Sequence, residues 1–506
     1  PDFDVVGLSF PGCPGFPHFG HNAHVAWCVT HAQADYQDVY IERFSPDDPM
    51  RYEFKGEWKQ AEVLHETVEV KGEQPIQTDV TVTHHGPIIA GDPAGGTALA
   101  FRYTATSESN HGFECLIRMM RAAGADELDE SMREWVDPCN NFVFADVHGD
   151  IGYLNRGKVP IRAMRNAWLP APGWDGEHEW QGNIPFEELA RSRNPENGFI
   201  VTANNRIVDH EYPYYLSLDS APEYRARRIY GRLEGLKGAT VEDMAAVHAE
   251  RVSIPALIYT SILAEAVPLD KQSADAKEVL SGWDCSMDVD LVAPTIFAAF
   301  HIELTRLVVH NLVGGPLADE MLSAAGRGAP THLRHPSTRM NTAAQNGDDS
   351  VLPDGEDWRS IVAGALSHAV AGLSARFGDD MDAWVWGKVH RTQPQHTLSA
   401  AFPQLATLLD PPSVPLGGGL DTPHAGGYSL SSPFTITGTS VARYVFDTSE
   451  WDNSRWVVPL GSSGHPGSPH YADQTETWRR VGLIPMGYGW DRIKAGSESH
   501  QTLGPE

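Results

Sequence analysis

The chain has 506 residues and a formal net charge of −29, from 38 Lys and Arg against 67 Asp and Glu. So acidic a surface repels phosphate backbones, which argues against nucleic-acid binding, and it leaves carboxylates for a hard cation. Apolar runs fall short of the roughly 18 residues a membrane-spanning helix needs, so no membrane insertion is expected. The length suits two to four domains, or one large core with insertions.

The five cysteines are Cys13, Cys28, Cys115, Cys139 and Cys285. None forms a CxxC pair and the number is odd, so free or buried thiols are expected rather than a disulfide framework. The opening Pro1-Asp2-Phe3-Asp4 has neither Met nor a basic–apolar leader, and a mature or truncated start is expected.

In chain order, His24–His31 places large apolar groups at every second residue and reads as a half-buried strand. Val39–Phe44 is a second strand. Thr67–Val70 and Val80–Thr83 alternate around the turn-forming Lys71-Gly72-Glu73. Residues 111–135 switch to helical spacing, with Leu116, Met119 and Met120 on one face. Phe142–Asp146 and Ile151–Leu154 flank His148-Gly149 as a hairpin. Thr240-Val241-Glu242-Asp243 has the form of a helix-capping start, and helical character continues to about residue 400. Residues 325–355, rich in Gly, Ser, Asn and Asp, read as a loop. Beyond Pro411 the chain is rich in Gly, Pro and Ser, with a strand pattern at Val441–Phe446. These segments predict an α+β fold in three parts: residues 1–239 a β-rich core, 240–400 a mainly helical insertion, and 401–506 a β-rich return to the core.

The usual hydrolase signatures are missing. Gly461-Ser462-Ser463-Gly464 is one residue short of a nucleophile elbow, and His65-Glu66 and His178-Glu179 lack the second His of a zinc protease helix. Gly417-Gly418-Gly419 lacks the Lys-Ser/Thr of a phosphate loop.

A set of strings does stand out by its order and spacing. Gly20-His21-Asn22 leads into the strand with Trp27 and Thr30, and Asp35-Tyr36-Gln37-Asp38-Val39-Tyr40-Ile41-Glu42 follows. Later come Ala145-Asp146 with Gly149 and Ile151-Gly152-Tyr153, and then Gly198-Phe199-Ile200-Val201-Thr202-Ala203-Asn204-Asn205. Tyr212-Pro213, Tyr224-Arg225-Ala226-Arg227-Arg228, Trp386-Gly387-Lys388-Val389-His390 and Ser463–Gln474 complete it. Together they resemble the penicillin acylase family, which includes penicillin, cephalosporin and acyl-homoserine-lactone acylases.

The resemblance implies the four-layer αββα sandwich of N-terminal-nucleophile hydrolases, here with a helical insertion. It implies an amidohydrolase acting on a small N-acylated substrate, a small α subunit cut from the same precursor as partner, and a periplasmic or secreted location. In the family the large chain begins with Ser, Cys or Thr, whose free α-amine, with a pKa near about 8, activates its own side chain. By the family's spacing that residue is expected roughly 35–45 residues before Pro1, so this stretch by itself is expected to be inactive.

By the same resemblance Asn204 supplies an oxyanion-hole amide, the His31 backbone N–H the second donor, and Arg225 orients the site. Phe19, Val29, Leu116 and Asn140 fall where the family lines its acyl pocket. Asp35, Gln37 and Asp38 match a calcium-binding loop, with Gln37 contributing its main-chain oxygen; a hard cation needs six or more oxygens. Calcium is thus an expected structural cofactor, and no organic cofactor is implied. The other class considered is a non-catalytic, calcium-stabilised binding protein on the same scaffold.

Overall fold

The computed structural model describes residues 4–13, 15–107, 110–323, 329–429, 434–502 and 504. The chain forms two compact units, Pro1–Ala221 and Pro222–Glu506.

The first unit is built on two six-stranded sheets. In one, Val25–His31 and Ile151–Arg156 flank Asn140–Asp146, all antiparallel. Here strict alternation gives way to near-continuous burial: Val25, Ala26 and Trp27 are all buried, as are Phe142, Phe144 and Leu154. Strands covered on both faces read this way. The two helices Gly112–Arg121 and Ala125–Ser131 contribute Leu116, Met119, Met120 and Leu128 to the same apolar cluster. The sequence pattern predicted one helix over 111–135; the structure breaks it at Ala122–Gly124, where Gly124 is fully extended. One amphipathic face can continue through such a break, so periodicity does not register it.

The second sheet centres on Gln37–Arg43 and Thr97–Tyr103, paired antiparallel from Tyr103↔Gln37 to Thr97↔Arg43. The hairpin Glu62–Val68 with Ile76–Thr83 extends it, and Gly72 takes φ 84° in the connecting turn, as its sequence predicts. Gln37–Arg43 alternates as expected, but its buried face carries Asp38, Tyr40 and Glu42 rather than Val39 and Ile41.

The second unit packs its helices around Ala293–Val313. That helix is long and apolar enough, by length and composition, to cross a membrane. Its Ile296, Phe300, Leu304 and Val308 are spent in the unit's own core, against Tyr259, Trp358, Val362 and Leu366. Thr240 caps the helix Val241–His248 in a full capping box: its hydroxyl accepts from Asp243 N–H, and the Asp243 carboxylate accepts from Thr240 N–H.

The predicted loop at 325–355 is corrected: Ala329–Asn346 is helical, residues 324–328 lying outside the described set. Met340, Ala343 and Ala344 are buried in the helical core, and this packing overrides the turn-favouring composition. Farther on, Arg443–Val445 forms the strand expected within 441–446 and pairs with Arg455–Val457. His390 stacks on Trp386 and lies within hydrogen-bond distance of the carbonyls of Leu416 and Gly426, a bracing role. None of the five cysteines, all of them among the described residues, is in a disulfide.

Candidate active site

His31 ends the strand Val25–His31 and pairs in register with Asn140. Asn204 follows the segment Gly198–Ala203 and takes φ 62°, a left-handed conformation that asparagine tolerates better than most residues. Its main-chain oxygen accepts from Ala221 N–H at 2.7 Å, and the next residue, Asn205, bridges to Ala221. Thus held, the Asn204 side-chain amide donates to the His31 carbonyl at 2.8 Å. A carboxamide and the main chain of residue 31 therefore share one small space.

Behind this pair runs a chain of polar contacts that sequence reasoning did not assign. Tyr153 donates to the Asn141 carbonyl oxygen at 2.9 Å. The Asn141 amide donates to the Thr30 hydroxyl at 3.0 Å and lies 3.4 Å from the His31 oxygen. Thr30 in turn contacts Thr202 at 3.1 Å, which ties the His31 strand to the segment carrying Asn204. Asn141 is wholly buried. The available signal was Asn141 next to Asn140 at the head of a strand that continues through Phe142–Ala145, because a buried amide must find partners.

The His31 ring is held apart from these contacts. Its Nδ1 accepts from Gln33 N–H at 3.0 Å, and desolvation lowers its pKa below the ordinary histidine value, favouring the neutral ring.

The four expected pocket residues are not equivalent in place. Leu116 and Val29 join one apolar cluster, whereas Phe19 packs its ring against Phe10 and His18. Asn140 accepts two contacts from Arg156, at 3.2 and 3.0 Å. That guanidinium is buried, sandwiched by Trp135 and Phe142 at 4.0 and 4.6 Å, and burial lowers its pKa to about 9. A cavity of about 330 Å³ opens beside residue 32, lined by Ala32, Met164, Tyr212, Tyr214, Tyr215 and Leu216. Arg225 sits in the first turn of the helix Tyr224–Leu233, in the second unit.

The loop after His31 carries the expected cation ligands. Asp35 N–H donates to the Leu216 carbonyl at 2.8 Å, and Gln37 opens the strand Gln37–Arg43. Both carboxylates face Arg162: its Nη2 lies 2.8 Å from Asp35 Oδ2 and its Nε 2.7 Å from Asp38 Oδ2. Trp180 donates to the same Asp38 oxygen at 2.5 Å, and Tyr215 donates to Asp35 at 3.1 Å. Burial raises the Asp35 pKa, with the Arg162 charge opposing it.

A second charged cluster lies on the same strand. His85 meets Glu42 through Nδ1 at 2.8 Å and Glu179 through Nε2 at 2.7 Å, with Tyr40 stacked on its ring at 3.7 Å. Burial pulls the His85 pKa down, but the two carboxylates outweigh it and the net shift is upward. Gly86 follows at φ 126°, where a Cβ would stand 2.1 Å from the Phe101 carbonyl, so only glycine fits this approach.

Comparison with known proteins places these features in a family. The penicillin amidase family model matches residues 1–495. The chain is 40% identical over 514 residues to penicillin acylase 2 proenzyme of Pseudomonas sp. (strain SE83), covering 99% of this chain and 64% of that protein. It is 27% identical to the acyl-homoserine lactone acylase QuiP of Pseudomonas fluorescens (strain Pf-5), covering 96% of this chain and 61% of that one. The chain thus spans a little under two thirds of these relatives' length. Among solved structures, a thermostable penicillin G acylase from Alcaligenes faecalis superposes with a TM-score of 0.73 at 21% identity, over 100% of this chain and 92% of the other. That likeness shows the fold: the αββα sandwich expected from the sequence.

Proposed function

Because the chain belongs to the penicillin amidase family, we propose that it is the large-subunit portion of an acylase that hydrolyses the acyl-amide bond of a small N-acylated molecule. The observation that carries this reading is the 2.8 Å contact from Asn204 Nδ2 to the His31 carbonyl. It supports an oxyanion site formed by the Asn204 amide and the His31 main-chain N–H. Such donors act where charge develops, on the carbonyl oxygen of the tetrahedral intermediate.

In this reading the nucleophile is a processed N-terminal Ser, Cys or Thr outside these 506 residues. Its side chain attacks the acyl carbonyl carbon while its α-amine takes the proton. The C–N bond then breaks, the amine leaves with that proton, and water attacks the acyl-enzyme to release the acid and restore the nucleophile. To Arg225 we assign the positioning role that the resemblance implies. The small α subunit is the proposed partner and the periplasm the proposed location. The named activities of the relatives, on penicillins and acyl-homoserine lactones, supply the substrate classes to try first.

The test is to express the gene with the codons that precede Pro1 and to measure amine release from a panel of phenylacetyl, glutaryl and fatty-acyl amides. Release that Asn204→Ala lowers by about 10²-fold or more supports the reading. Release undiminished in that variant, or none from any amide in the panel, overturns it.

A further inference from the structure

The acidic loop after His31 already contains a cation. The Arg162 side chain is completely buried, as is the Asp38 side chain it contacts. The guanidinium reaches both carboxylates at once, through Nη2 to Asp35 and Nε to Asp38. Its approach is fixed by the backbone: Ile161 N–H donates to the Gly182 carbonyl at 2.9 Å, and the Ile161 carbonyl accepts from Gln181 N–H at 2.8 Å. The Tyr215 ring covers the guanidinium at 5.3 Å.

This surrounding does not suit a hard divalent ion. Calcium needs six to eight oxygens and takes carboxylates as principal ligands. Here the Oδ2 atoms of both aspartates face the guanidinium, and Tyr215 and Trp180 spend their donors on the same two oxygens. Two carboxylates and one guanidinium leave one negative charge. Asp38 Oδ1 is buried without a hydrogen-bond partner among the described residues, but a divalent ion binding there beside Arg162 would meet a like charge against its own ligands. Unlike a metal ion, a guanidinium offers planar, permanently charged donors and cannot dissociate from the chain.

We propose that Arg162 is the resident cation of this loop, holding Asp35 and Asp38 in the place that a calcium ion would otherwise occupy. The segment that sets the main chain at His31 is then metal-independent. Asp35 is also anchored to Leu216, so the pair clamps the start of the second sheet to the 212–220 segment without an exchangeable part. This proposal concerns the stability of the first unit and stands apart from the reading of the catalytic reaction.

The experiment uses the protein expressed from its gene, exchanged through EDTA and melted with and without added calcium. The melting temperature of the native protein is expected to be the same in both. Arg162→Gln, which keeps bulk and removes the charge, is expected to melt lower and to gain a calcium-dependent rise, with calcium uptake seen by isothermal titration. If that variant does not fold, the native protein still decides. A native melting temperature that falls in EDTA and recovers with calcium, with the recovery lost in Asp35→Asn, overturns the proposal.

Discussion

The Asn204 side-chain amide donates to the carbonyl of His31 at 2.8 Å, although the two residues lie on separate segments of the first unit. The contact is made from a left-handed backbone at Asn204 and is buttressed through Thr30 and Thr202.

Replacing Asn204 by Ala should lower turnover of the assembled enzyme by about 10²–10³-fold, the usual cost of one oxyanion donor. The far-ultraviolet circular dichroism should be unchanged. Amine release across a range of substrate concentrations is the measurement, and a change confined to KM would assign Asn204 to uniform substrate binding instead.

Tyr153→Phe removes the donor to the buried Asn141 carbonyl oxygen. An unsatisfied buried acceptor costs about 1–3 kcal/mol, so urea denaturation should show a loss of that size. Asn141→Ala should lose at least as much, because it also withdraws the donor to Thr30.

His85 should make stability depend on pH. Its folded pKa lies above the unfolded value, so its bonds to Glu42 and Glu179 contribute fully below about pH 6.5 and fade as pH rises through the folded value. His85→Gln should therefore lower the melting temperature markedly at acidic pH and progressively less toward alkaline pH. A constant difference across that range would contradict the paired imidazolium.

Phe300→Ala opens a cavity in the helical core, where this ring meets Tyr259 and Phe297. Large aromatic truncations of this kind cost about 3–5 kcal/mol. A membrane-facing residue would show no such loss in aqueous denaturation, so the experiment also checks the role of the helix Ala293–Val313.

Much of this protein is written locally. The strand at His24–His31, the turn at Gly72 and the Thr240–Asp243 capping box each depend on a few adjacent residues, and each reappears in the structure, although the strand is buried in a continuous run at Val25–Trp27 rather than at every second residue. The ordered strings from Gly20 to Gln474 were enough to place the chain in its family, because a series of spacings is far more specific than any one motif. What sequence could not settle was which charges and which faces meet. Alternation in Gln37–Arg43 is equally compatible with burying Val39 and Ile41 or Asp38, Tyr40 and Glu42. The choice fell to the polar set because Arg162, His85 and Glu179 return from distant segments to pair with it. Composition likewise favoured a loop at 325–355, and burial of Met340, Ala343 and Ala344 made a helix of much of it. Backbone preference acts over neighbouring residues, whereas burying a charge or an apolar face is favourable only once its partner has arrived, and only the folded chain decides that.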